Sequence, residues 1–74
     1  MFEYDQEIVE VLLNDNKQFQ ALYEEHDTLK KKVRDAELGV LPIDDLSLGT
    51  MKKEKLLAKD RMAAMIEQYR REHA

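Results

Sequence analysis

His26 and His73 are the only imidazoles in a chain of 74 residues that has no cysteine. An imidazole can hold a metal, relay a proton or sense pH. Metal binding along one helix needs co-ligands three or four positions away. The sequence has no His-x-x-x-His and no Glu-x-x-His, and Glu25, next to His26, lies about 100° round a helix from it. Nor is there a glycine-rich phosphate loop, a nucleophile with a base at useful spacing, or a cofactor motif. The residues thus assign no catalytic, cofactor-binding or metal-binding position, and the expectation is that the chain is not an enzyme and needs no cofactor.

The basic side chains offer binding chemistry instead. Lys30, Lys31, Lys32 and Arg34 form one group, and Lys52, Lys53 and Lys55 form another. Brought together, the seven would make a patch able to meet nucleic-acid phosphates or an acidic protein. Asp35, Glu37, Asp44, Asp45 and Glu54 share that stretch, and aromatics make up only 7% of the whole chain, which argues against base stacking. A solvated charged face is the simpler reading.

Helices must position these groups. Gly39, Gly49 and Pro42 are the only helix punctuators, and all fall between residues 39 and 49. Residues 3–13 form a short amphipathic stretch with Ile8, Val11 and Leu12 on one face, widened by Val9 and Leu13. Asn14, Asp15 and Asn16 then interrupt, and Asp15 or Asn16 suits a helix N-cap. Over 16–37, Phe19, Leu22, His26, Leu29, Val33 and Ala36 step by three and four, as in the seam of a coiled coil. Asp27–Lys31 and Lys31–Asp35 are opposite charges four apart on the outer face. A loop is expected over 38–47. The last helix, over 48–72, is capped by Asp44, Asp45 or Thr50 and carries Met51, Ala58, Met62, Met65, Ile66 and Tyr69 on one face, with Lys55 at its margin.

These elements predict an all-α fold: one domain over 1–74, an antiparallel helical hairpin preceded by a short helix. The charge supports this. Residues 1–29 hold eight acids and one base, residues 48–74 hold seven bases and four acids, and the net charge is −4. In the hairpin His26 falls opposite Ala58, a bulky side chain against a slight one, so the pair reads as seam packing or as a pH-sensitive switch. A buried neutral imidazole would have a depressed pKa, which a carboxylate such as Glu54 would oppose. Phe2, Val9, Leu13, Leu56 and Leu57 are left over and form a candidate contact face for the first helix, a second subunit or a protein partner.

"MFEYDQEI", "FQALYEEHDTL" and "MKKEKLLAKDRMAAMI" together resemble the YdcH-like family of small bacterial proteins. Phe19, Leu22, His26 and Leu29 match its second-helix pattern, and Lys52, Lys53, Lys55, Leu56, Lys59 and Asp60 its third. Met51 and Ala58 stand where the family usually has leucine, Arg61 where an acid is common, and Asn16-Lys17 where Asn-Pro is frequent. The resemblance implies a helical hairpin and no particular activity.

No apolar run approaches the ~20 residues of a membrane span, and the acidic start lacks the basic residues of a signal peptide. The expectation is a cytoplasmic protein with no membrane partner, working as a protein–protein interaction or assembly module. The alternative is a small nucleic-acid-associated factor that uses its basic end.

Overall fold

The computed structural model describes residues 5–73. Phe2 and the first two positions of the helix expected over 3–13 lie outside those residues. Among the described residues there are three helices and no strand: α1 Gln6–Asp15, α2 Lys17–Glu37 and α3 Asp45–Glu72.

A single residue separates α1 from α2. Asn16 takes an extended backbone, φ −125° and ψ 109°, and its side-chain Oδ1 accepts the Phe19 N–H at 3.0 Å. This is the N-cap bond expected of an asparagine there. The end of α1 is closed on the same spot, where the Asn16 N–H donates to the Leu12 carbonyl at 2.9 Å and the Gln20 amide to the Leu13 carbonyl. α1 therefore runs two residues further than the sequence suggests, because the closing bonds come from Asn16 and Gln20 rather than from Asn14. Asn16→Ala should lower stability by about 1 kcal/mol, while Asn16→Asp, which keeps an acceptor, should hold near the parent value; urea midpoints followed by circular dichroism check both.

α2 ends on Gly39, whose φ of +76° is the left-handed conformation glycine adopts without strain. The Gly39 N–H bonds to the Ala36 carbonyl at 3.2 Å and the Val40 N–H to the Asp35 carbonyl at 2.9 Å, the paired bonds of a Schellman stop. α3 begins three residues before the expected start. Asp44 is its extended N-cap residue, Gly49 lies inside the helix, and the Thr50 hydroxyl bonds back to the Leu46 carbonyl at 3.1 Å instead of capping. A mid-helix glycine costs only about 1 kcal/mol, which a helix of 28 residues absorbs.

α2 packs mainly on α3, and α1 lies against both. Residue pairings run in opposite senses along the two long helices. Phe19 and Leu22, early in α2, share a core cluster with Met62 and Ile66, late in α3, whereas Glu37 at the end of α2 pairs with Lys52 near the start of α3 at 2.8 Å. The cluster comprises Leu12, Phe19, Leu22, Ala58, Met62 and Ile66, with Phe19 and Met62 both 0% exposed. Ile8, Val9, Leu13, Met65 and Tyr69 pack round it. Leu29 and Val33 are buried further along α2. Asp5 forms an ion pair with Arg70, which ties the start of α1 to the end of α3.

Candidate functional site

His26 sits in the buried row of α2 and is 9% exposed. Its ring makes no hydrogen bond with another described residue. Yet among the described residues no side-chain nitrogen or oxygen in a buried residue is sealed off without a partner. The ring nitrogens therefore reach open space. His26 lines a shallow depression of about 280 Å³ together with Lys30, Lys55, Leu56 and Lys59.

The lining follows from helix geometry. Lys30 is one turn beyond His26 on α2, and Lys55 and Lys59 are one turn apart on α3, on the flank next to buried Ala58. A second depression, of about 230 Å³, is lined by Glu25, Glu54, Leu57, Ala58 and Arg61. Residues 54, 57 and 61 lie on the other side of the Ala58 row from 55 and 59. One flank of the α2–α3 contact is thus lined by lysines and the other by mixed charge.

Burial lowers the His26 pKa below its ordinary value of 6.5, and the charges of Lys55, Lys30 and Lys59 lower it further. Asp27 opposes them. Glu54, expected in that role, lies in the opposite depression. His73 has a structural part at the end of α3: it stacks on Tyr69 with ring centroids 4.0 Å apart, and its Nδ1 is 2.9 Å from the Tyr69 carbonyl oxygen.

The seven bases picked from the sequence divide. Lys31 pairs with Asp27 at 3.1 Å and Lys52 with Glu37 at 2.8 Å. The Lys52 hydrogen bond and charge hold the Glu37 carboxyl below the usual carboxylate range. Lys30 and Lys55 turn to the His26 depression, and Lys32, Arg34 and Lys53 are exposed elsewhere on the helices. Lys59 joins the lysine flank although the patch drawn from the sequence omits it; its spacing of four from Lys55 is the signal that places it there. The proposed contact face divides too. Val9 and Leu13 pack half-buried on the core cluster, while Leu56 and Leu57 remain 56% and 46% exposed.

Among the described residues no group of three or more His, Asp or Glu side chains stands together as a metal site would, and no helix is long and apolar enough to cross a membrane. A model of a family described as "Protein of unknown function (DUF465)" matches residues 19–66, from the first buried residue of α2 to the last of α3. No curated protein and no solved structure matches the chain.

Proposed function

The chain belongs to the DUF465 family, the YdcH-like proteins, and from that premise we propose a non-catalytic interaction module: an antiparallel helical hairpin with a coiled-coil-like seam, whose outer face on α3 docks a second copy of the chain. The observation that carries this reading is the exposure of Leu56 and Leu57, adjacent in the middle of α3, after α1 has taken up Val9 and Leu13. Uncovered large apolar side chains beside one another favour a partner.

Charge favours a second copy as that partner. Leu56 borders the lysine flank, and Leu57 borders the flank that carries Glu25, Glu54 and the one cation Arg61. A two-fold axis running along α3 sets the lysine flank of one copy against the glutamate-bearing flank of the other, whereas an axis across α3 sets lysine against lysine. Sedimentation equilibrium should show a monomer–dimer equilibrium at high micromolar concentration. Replacing Leu56 and Leu57 together by Glu should weaken it by about tenfold or more while leaving helicity intact. Monomer alone at high micromolar concentration overturns the reading. The nucleic-acid alternative draws on lysines of which Lys31 and Lys52 are already paired; a gel shift across a salt series removes it if no binding is seen at low salt.

A further inference from the structure

We propose that the depression between His26, Lys30, Lys55, Leu56 and Lys59 is a binding site for a phosphate monoester carried by a small molecule. The imidazole is buried, lacks a described hydrogen-bond partner, and lines this depression. Ordinarily a buried polar ring is satisfied. Here the ring nitrogens are open to solvent on the side of the depression, so a ligand seated there can take the place of water as their partner.

Within a single copy of the chain the charges around the ring are also uncompensated. Lys31, Lys52, Arg70 and Arg71 have carboxylate partners, but Lys30, Lys55 and Lys59 form no ion pair with any described acid. Asp27, the one acid that acts on the imidazole, is engaged by Lys31 at 3.1 Å. Three ammonium groups and an imidazole round one small volume suit a dianion. A carboxylate would leave most of that charge unmatched, whereas the three oxygens of a phosphate monoester can accept from several lysines at once. The volume of about 280 Å³ holds a phosphoryl group with a small organic portion, and Leu56 supplies an apolar edge for that portion. The opposite depression, with Glu25 and Glu54 beside a single cation, Arg61, suits the same ligand less.

The charged groups facing the imidazole are Lys30 and Asp27 from α2 and Lys55 and Lys59 from α3. Burial and the lysines keep the empty site's ring neutral near neutral pH. A bound dianion offsets the lysines, so the ring takes up a proton on binding and donates to the ligand. Affinity for a ligand of fixed charge should therefore rise as pH falls.

The test is a titration of the full chain with phenyl phosphate, and with sulfate as a dianion of constant charge, followed by the ring proton resonances of His26. It is run at constant ionic strength between about pH 5.5 and pH 8, at a chain concentration well below that at which the dimer forms, because Leu56 and the lysine flank also border the proposed dimer contact. The expected result is a saturable shift of His26 with both probes, tighter for sulfate at the lower pH. Lys30→Glu and Lys59→Glu should each weaken binding by about tenfold or more. Lys32→Glu makes the same change in net charge away from the depression and should leave affinity nearly unchanged. Circular dichroism of the three variants confirms an intact fold. The proposal is overturned if His26 shows no saturable shift, if Lys32→Glu weakens binding as much as Lys59→Glu, or if benzoate binds as tightly as phenyl phosphate. It is equally overturned if a single-stranded oligonucleotide shifts His26 and phenyl phosphate does not displace it.

Discussion

Phe19→Ala should remove most of the stability of the protein. Phe19 is 0% exposed and lies where the three helices meet, in one cluster with Leu12 of α1 and Ala58, Met62 and Ile66 of α3. Deleting a buried phenyl ring loses its transfer free energy and leaves a cavity, together about 3–5 kcal/mol. A domain of this length holds only about 4–11 kcal/mol at the usual 0.05–0.15 kcal/mol per residue. The remaining core cannot easily close over the gap, because Met62, the other wholly buried side chain, already fills its own place. Urea unfolding followed at 222 nm should show a midpoint far below that of the parent, or a chain already partly unfolded without urea. Leu46→Ala, at an exposed position early in α3, should stay within about 0.5 kcal/mol of the parent. If the two variants gave equal midpoints, the convergence of the helices on Phe19 would be wrong.

That a single ring bears so much weight could be anticipated from spacing. Phe19, Leu22, His26, Leu29 and Val33 all lie buried on α2, as their three-and-four steps require. Ala58, Met62 and Ile66 do the same on α3, with Met51, Met65 and Tyr69 half-buried beside them. Periodicity survives because it sums over many residues, each pulling the same face inward. Boundaries rest on single side chains and are less legible. Asp44, Asp45 and Thr50 can all cap a helix; Asp44 takes the N-cap position without a side-chain cap bond, while Thr50 lies inside α3 with its hydroxyl on the Leu46 carbonyl. The two flanks of the α2–α3 contact were illegible for another reason. Whether Lys59 or Glu54 stands beside His26 depends on how the two helices are rotated and slid against each other, which no local pattern states. The sequence names the imidazole and most of its lysines; contact between helices decides which of them meet.

His26→Leu is expected to stabilise the protein at neutral pH and to flatten its response to acid. The parent holds a polar ring in the buried row of α2 with no described hydrogen-bond partner. A leucine of similar volume removes the cost of desolvating that ring and adds apolar burial, a gain of about 1–2 kcal/mol. The acid response follows from linkage. Unfolded, the imidazole titrates near 6.5; folded, burial and the charges of Lys55, Lys30 and Lys59 lower its pKa, with Asp27 opposing. Between the two values the unfolded chain holds more protons than the folded one, so stability rises with pH across that window. The contribution is complete above about 6.5, falls as pH drops towards the folded-state value, and is fully lost below it. Urea midpoints of parent and variant, taken from about pH 5 to pH 8 in buffers without phosphate or sulfate, should converge in slope at the alkaline end and separate in acid. Parallel profiles would show that the ring is not the titrating group. Loss of helicity in the leucine variant would show that α2 needs a polar side chain there, which its burial among lysines and apolar neighbours does not predict.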